Sequence, residues 1–230
     1  MAAAYNNRGL IERIRGKVEQ ALADFCRALR LNPLLLQGYY NRGIALREQG
    51  NLEAAISDFN RALEIDGRAA EIYYNRALAR YLKGDSKGAI KDHTKAIKLN
   101  PMLTASYSHR GMIKQAEGCL DEAMADYTRA IELNPGFTNA YLHRAEVWQL
   151  RREYSKALAE YNRILEVNPR DALAYANRGI ILLFEGQKNE AQKDFDRCLE
   201  LNERLKPVLE QRIQAITAQL IARQAGAIER

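Results

Sequence analysis

The sequence has few of the residues that would indicate cross-linking, metal binding or membrane insertion. Its 230 residues include 3 cysteines, Cys26, Cys119 and Cys198, which are odd in number and far apart. They make neither a disulfide framework nor a C-x-x-C metal site. No run approaches the roughly 18 to 20 apolar residues of a membrane helix, and residues 1–10 lack a charged-then-apolar leader. We therefore expect neither membrane insertion nor export, and a cytoplasmic or other reducing compartment.

Catalytic motifs are also missing. The sequence contains no G-x-G-x-x-G, no G-x-x-x-x-G-K-[ST], no H-E-x-x-H and no G-x-S-x-G. The net charge of +6 comes from 35 basic and 29 acidic residues that are interspersed along the chain, unlike a nucleic-acid-binding tail. These absences predict a protein that is not an enzyme and that takes no cofactor.

The chain does contain a repeat with a period of 34 residues. Tyrosines recur at that spacing, each opening the pattern Y-x-[NH]-R-[GA]: Tyr5, Tyr39, Tyr73, Tyr107, Tyr141 and Tyr175. With tyrosine as position 4, six copies follow one another without insertion or deletion. They span residues 2–35, 36–69, 70–103, 104–137, 138–171 and 172–205.

Small and large residues alternate at fixed positions of each copy. Position 8 is Gly or Ala, position 20 is Ala, and position 24 is aromatic in five copies and His93 in the third. Position 15 is Gly in five copies and Arg152 in the fifth, and proline closes four copies. Each copy is therefore predicted to form two amphipathic helices joined by a turn near position 15.

This arrangement resembles the tetratricopeptide repeat family, whose pattern combines an aromatic residue at position 4, Gly at 8, Ala at 20, an aromatic residue at 24, Ala at 27 and Pro at 32. The resemblance covers about nine-tenths of the chain. It implies an all-α, right-handed superhelical solenoid whose first helices line a concave inner face. One departure is systematic, because position 7, usually Leu in that family, is Arg in all six copies.

Residues 206–230 lie outside the period. Leu209, Ile213, Ile216 and Leu220 form one apolar stripe at helical spacing, and Pro207 suits the first turn of a helix. We expect a C-terminal helix that caps the sixth repeat. The alternative is a homodimer seam, since the same spacing serves coiled coils.

The resemblance places position 6 on the inner face, where it contacts ligands in this family. That position carries amide or imidazole side chains throughout: Asn7, Asn41, Asn75, His109, His143 and Asn177. Amides offer donors and an acceptor, so this row is a candidate for binding the backbone of an extended peptide. The alternative is that these groups satisfy helix packing or face solvent. His109 and His143 lack enough companion ligands for a structural zinc site, so no metal is expected.

Other inner-face positions give the predicted groove its chemistry. Position 9 supplies apolar side chains, and positions 5 and 12 supply aromatic ones: Leu10, Ile44, Leu78, Met112, Tyr40, Tyr74 and Tyr81. Such a strip fits a hydrophobic or helical partner segment, although ordinary contact between first helices would also account for it. Arg13 and Arg47 lie toward its N-terminal end. The lysine, asparagine and arginine set with which some family members clamp two carboxylates is absent from the corresponding positions.

The arginine at position 7 has an acidic counterpart at position 23 in every copy. Arginine and carboxylate can pair through two parallel hydrogen bonds, so we expect a row of ion pairs between the two helices of each repeat. A nucleic-acid surface made from this row and the basic position 26 is the competing interpretation, opposed by the interleaved acids and the modest pI of 9.2.

Taken together, the sequence predicts a non-enzymatic scaffold that binds a peptide or partner segment in its concave groove. The alternative is an assembly module that works by homo-oligomerisation, through the C-terminal helix or end-to-end stacking. Nucleic-acid binding through the arginine rows is the third hypothesis. The sequence identifies no particular protein partner.

Overall fold

The computed structural model describes residues 1–228, with side chains as far as residue 222, and within that range it contains α-helices and no β-strand. The last two residues of the predicted C-terminal helix, 229–230, lie outside the described residues. The predicted all-α repeat fold is confirmed. Its helices are α1 (Ala2–Ile14), α2 (Val18–Leu31), α3 (Leu36–Glu48), α4 (Leu52–Ile65), α5 (Ala70–Leu82), α6 (Ser86–Leu99), α7 (Thr104–Ala116), α8 (Leu120–Leu133), α9 (Thr138–Leu150), α10 (Tyr154–Val167), α11 (Ala172–Phe184), α12 (Lys188–Leu201) and α13 (Lys206–Ile228), with a 3₁₀ turn at Glu203–Leu205 before α13.

The described chain divides into two compact units, Met1–Asp126 and the part from Tyr127 onward. In the first unit α1 packs on α2, α3 on α4 and α5 on α6, and each second helix also packs on the first helix of the next repeat. In the second unit α9 packs on α10 and α11 on α12, with α10 also packed on α11. Each unit is therefore a stack of helix pairs. Among the helices of residues 1–228, none combines the length and the apolar character that crossing a membrane requires.

The core of each repeat is formed by the residues at fixed positions. Alanine at position 20 is fully buried in every copy, and the ring at position 24 is 0 to 4% exposed. The glycine at position 8 lies directly under that ring: a Cβ added to Gly43 would meet Phe59 Cε1 at 2.7 Å. The alternation of small and large residues therefore reflects close helix approach, in which a glycine makes room for an aromatic side chain.

The turn between the paired helices needs a left-handed backbone conformation. Five copies supply glycine there, with φ between 76° and 90°, and the fifth supplies Arg152 with φ of 59°. A side chain in this region costs about 1 kcal/mol relative to glycine.

Arg152→Gly is therefore expected to raise the free energy of unfolding by about 1 kcal/mol, because Arg152 is exposed and the substitution relieves backbone strain. Chemical denaturation followed by circular dichroism measures the change. The reciprocal variant Gly186→Arg, in open space at the same position of the sixth repeat, should lose a similar amount. Equal stability of Arg152→Gly and the wild type would contradict this account.

The predicted ion pairs join the two helices of every repeat. Each position-7 arginine donates from Nε and Nη2 to both oxygens of the position-23 carboxylate, at distances between 2.5 and 3.0 Å. The pairs are Arg8–Asp24, Arg42–Asp58, Arg76–Asp92, Arg110–Asp126, Arg144–Glu160 and Arg178–Asp194. The carboxylates are buried, and the hydrogen bond from Arg8 is the main reason that the pKa of Asp24 is lowered. The expected row of ion pairs between the two helices of each repeat is therefore present.

The same arginines also connect successive repeats. In copies two to six the remaining Nη1 donates to position 25 of the preceding second helix, at distances of 2.6 to 3.3 Å. The acceptors are Cys26, Asn60, Thr94, Thr128 and Asn162. Each guanidinium group thus joins three helices. This explains why an arginine replaces the family's leucine, since leucine offers no hydrogen bonds at this junction.

The C-terminal helix covers the sixth repeat. Leu209 is 3% exposed and packs with Phe195 and Cys198, and Ile213 and Ile216 pack on the same cluster. Arg212 donates from Nη1 to Asn177 Oδ1 at 2.9 Å. Leu209 is therefore buried against the sixth repeat, and Ile213 and Ile216 are half-buried there.

Candidate peptide-binding face

The first-helix face of the first unit is the surface that α1, α3, α5 and α7 form with the side chains of positions 5, 6, 9 and 12. Its position-6 amides contact the preceding repeat. Asn41 donates to Asn6 Oδ1 at 3.0 Å, and Asn75 donates to the Tyr40 hydroxyl at 3.1 Å and to the Glu71 carbonyl at 2.9 Å. The amide row therefore helps to hold neighbouring first helices together.

Exposure differs along the row. Asn7 is exposed and Asn41 is partly exposed, whereas Asn75 is buried at 8%. His109 is partly exposed, and its Nδ1 lies 2.8 Å from the Ala105 carbonyl. Asn7 is thus the most accessible member of the row in this unit, and Asn75 is the least accessible.

In the second unit the predicted site residues make their own contacts. His143 Nδ1 lies 3.1 Å from Glu146 Oε2, and its ring stacks on Tyr127 at 5.6 Å between centroids. Asn177 accepts the hydrogen bond from Arg212 on α13, so this amide is used in fixing the C-terminal helix. Within residues 1–228, no group of three or more His, Cys, Asp or Glu side chains could hold a metal ion.

The three tyrosines predicted for the site lie half-buried on the first unit. Tyr40 packs against Phe59 at 6.4 Å, and Tyr74 contacts both His93 and His109 at 5.7 and 5.6 Å between ring centroids. Burial raises the pKa of Tyr40 and of Tyr74. Tyr81 packs partly against the core near Ala77 and Ile113. Each ring therefore offers a partly exposed apolar surface.

The position-9 side chains are also partly exposed in this unit. Ile44 packs against the core of the second repeat and Met112 against that of α5–α7. Leu10 and Leu78 are likewise half-buried. The structure brings these side chains to the face that carries the amides and tyrosines, as the helical spacing predicts.

Two arginines add charge to this face. Arg13 donates to Glu48 Oε1 at 2.6 Å, and within the described residues no carboxylate pairs with Arg47. The Nε atoms of both arginines are buried without a hydrogen-bond partner. Both guanidinium groups lie near Tyr40, where their charge opposes the rise that burial causes in its pKa. Arg47 therefore has unused capacity to bind an anionic group.

An aromatic cluster behind this face was not predicted. His93, fully buried at position 24, stacks on His109 with a centroid distance of 5.9 Å, and Tyr74 contacts both rings. Both ring nitrogens of the buried His93 lack hydrogen-bond partners. From position 24 the sequence predicts a core residue, which is correct, with its polar groups satisfied, which is wrong. It could not reveal that a position-6 side chain of the next repeat stacks on it, because this contact depends on how adjacent repeats are rotated.

Comparisons with known proteins place the chain in a family. Models of the tetratricopeptide repeat match residues 2–33, 43–84, 70–103, 114–179 and 172–204. The chain belongs to the tetratricopeptide repeat family. No curated protein sequence matches it significantly.

Solved structures share the fold of this tetratricopeptide repeat protein. YrrB, described as a repeat protein with an unusual peptide-binding site, is 23% identical over 78% of this chain and 92% of its own, with a TM-score of 0.61. PilF of Pseudomonas aeruginosa is 20% identical over 95% and 97%, with a TM-score of 0.77. A repeat protein of Parabacteroides merdae is 20% identical over 96% and 92%, with a TM-score of 0.71.

Proposed function

We propose that this tetratricopeptide repeat protein is a non-enzymatic scaffold whose first-helix face, in the first unit, binds a segment of a partner protein. The observation that supports this most directly is the strip of half-buried aromatic and apolar side chains beside an unpaired Arg47. A partly exposed strip of this kind is typical of interaction sites. The solved structure of a peptide-binding member of the same fold adds support.

The chemistry of the face defines the ligand. Tyr40 and Tyr74 offer apolar surface with polar tips, and Leu78 offers an aliphatic surface between them and Tyr81. Arg47 would bind a carboxylate through charge-assisted hydrogen bonds. We infer a peptide that carries an acidic side chain next to apolar ones.

The amides would contribute in a secondary way. Asn41 donates one side-chain N–H to Asn6. Its second N–H and its side-chain carbonyl oxygen remain for binding a peptide backbone. Asn7 is exposed and can do the same. Asn75 stabilises the face from within, since it is buried and bonded to Tyr40 and Glu71.

Leu78→Glu is expected to weaken ligand binding at least about tenfold, because it places a carboxylate in the apolar strip. Leu78 is half-buried and belongs to none of the buried core clusters of the described residues, so the fold should tolerate the change. Ligands would be selected from a phage-displayed peptide library on the full chain, then synthesised and measured by fluorescence anisotropy. Selected peptides should combine acidic and apolar residues.

Met102→Glu is the matched control. Met102 is 66% exposed in the turn after α6, and the substitution changes the net charge by the same amount. It should leave the affinity unchanged. A library that yields no ligand, or ligands that bind Leu78→Glu as tightly as the wild type, would refute a peptide site on this face.

Self-association is a second candidate function, which one observation favours. Position 10 is 0 to 2% exposed in repeats two to six, but Ile11, in the first repeat, is 49% exposed. Arg8 is 57% exposed, whereas the other position-7 arginines are 14 to 25% exposed. A second copy could cover this face of α1. Light scattering across concentrations tests this, and Ile11→Glu should abolish any dimer.

A further inference from the structure

The second helix of the third repeat carries an unusual stripe of lysines. Lys87, Lys91, Lys95 and Lys98 are all exposed, and their spacings of four, four and three residues place them on one face of α6. The stripe is about 16 Å long at the helical rise of 1.5 Å per residue. Within the described residues, none of these lysines forms an ion pair. We call these four residues the lysine stripe.

The repeat pattern does not require this stripe. In four other copies, position 26 is an arginine that pairs with a glutamate at position 29 of its own helix: Arg61–Glu64, Arg129–Glu132, Arg163–Glu166 and Arg197–Glu200. In α6 the same two positions are Lys95 and Lys98, which repel each other. Position 18 is Glu53 in the preceding second helix and Lys87 here. The third repeat has therefore replaced neutralised positions by cations.

A cleft beside the stripe concentrates the positive charge. It has a volume of about 470 Å³, and its ionisable lining comprises five cations and one carboxylate, besides the phenol of Tyr73: Arg76, Arg80, Lys91, Lys95 and Lys98 against Asp92. Asp92 already accepts hydrogen bonds from Arg76 at 2.7 Å and from Arg80 at 2.8 Å. One carboxylate thus faces five cations, and the cleft attracts anionic groups.

Acidic residues bound the stripe on both sides. Arg76 bonds to α4 as well as α6, and Arg110 bonds to α6 as well as α8, so α4 and α8 flank α6. Their exposed carboxylates include Glu53 and Glu64 on α4, and Asp121 and Glu122 on α8. A nucleic-acid backbone or a flat lipid surface would meet these carboxylates. Between Lys87 and Lys98 every exposed charged side chain is a lysine, so a single helix that lies along the stripe meets cations.

We propose that the lysine stripe is a docking surface for an acidic helical segment of a partner protein, whose carboxylates recur every three or four residues. This surface lies on the second helix of the repeat, whereas the proposed peptide-binding face lies on the first helices. The two surfaces would let one chain hold two partners of different chemistry. Complementary charge at such spacing fixes the register of the docked helix.

The test uses the full chain and a fluorescein-labelled alanine-based helical peptide with Glu at spacings of four, four and three residues. A second peptide with Gln at those positions is the ligand control. The key variant is Lys87→Glu with Lys98→Glu, which gives α6 the acids that α4 carries at the same positions. Lys188→Glu with Lys193→Glu, on exposed sites of α12, changes the net charge equally.

We expect the Glu peptide to bind the wild type in about 50 mM salt and to weaken as salt rises, because the contacts are exposed charge pairs. The α6 variant should bind about tenfold more weakly, and the α12 variant should bind like the wild type. No binding of the Glu peptide, equal binding of the Gln peptide, or an equal loss in the α12 variant would overturn the proposal. So would a single-stranded oligonucleotide or a phosphatidylserine vesicle that binds more tightly than the peptide and depends on Lys87 and Lys98.

Discussion

Asp58→Ala is expected to lower the free energy of unfolding by about 3 kcal/mol. Asp58 is 5% exposed and accepts hydrogen bonds from Arg42 Nε and Nη2, both at 2.7 Å. Its removal leaves the Arg42 guanidinium group at the junction between repeats with a hydrogen bond to Cys26 Sγ at 3.3 Å and the Tyr39 ring, whose centroid is 5.8 Å away. The free energy of unfolding falls because a largely desolvated guanidinium group is left without a counter-charge.

Glu64→Ala on the same helix is the matched control. Glu64 pairs with Arg61, but both side chains are more than half exposed. Exposed pairs contribute less than about 1 kcal/mol, so this variant should stay close to the wild type. The comparison separates the junction carboxylate from a general effect of removing negative charge from α4.

The double variant Arg42→Leu with Asp58→Leu tests the cause. Removing both partners leaves no uncompensated charge, so the double variant should be more stable than Asp58→Ala. Urea denaturation followed by circular dichroism measures all three variants. Because repeat proteins can unfold in segments, the transition should also be followed with a probe in each unit. A loss below about 1 kcal/mol in Asp58→Ala would show that the pair is solvated enough to be dispensable.

The ion pairs are among the features of the fold that the sequence predicts. The period of 34 residues, the turn at position 15 and the matched basic and acidic positions are local or repeated features. Each has its structural counterpart in six copies, although the turn residue is glycine in only five of them. The third hydrogen bond of each arginine could also have been anticipated. Position 25 of the preceding copy is Asn or Thr in four of the five contacts and Cys26 in the other, and it lies 16 residues before the arginine it contacts.

The candidate site was less predictable. Asn75 contacts Tyr40, and Asn41 contacts Asn6, across a separation of 35 residues rather than 34. This offset arises from the stagger of neighbouring first helices, which no position within a single repeat encodes. The sequence therefore places these amides on the first-helix face without showing that their neighbours already engage them. It likewise could not show that Arg13 has Glu48 as a partner and that Arg47 lacks one.

His93→Phe is expected to remove much of the acid sensitivity of the first unit. Both ring nitrogens of His93 are buried without hydrogen-bond partners. Burial is the main reason that the pKa of His93 falls to about 3, and the charges of His109 and Arg110 add to the effect. Phenylalanine stands at the same position in three other copies and has no group to leave unsatisfied.

The direction of the pH dependence follows from this lowered pKa. The unfolded chain takes up a proton on His93 near the ordinary pKa of about 6.5, whereas the folded chain does so near 3. Stability is therefore fully present above pH of about 6.5 and is lost as the pH falls toward 3. At pH 5 the loss amounts to about 2 kcal/mol, since one pKa unit corresponds to roughly 1.4 kcal/mol.

Denaturation of wild type and His93→Phe at pH 7.5 and pH 5 measures this difference. Carboxylates that titrate in the same range act on both proteins, so the gap between the two proteins isolates the buried imidazole. The variant should be the more stable at pH 7.5, and the gap should widen by about 2 kcal/mol at pH 5. The reciprocal variant Phe59→His should acquire the same acid sensitivity, because Phe59 is equally buried at that position of the second repeat. Parallel pH curves for wild type and His93→Phe would mean that the folded chain accepts the proton by opening locally around α6.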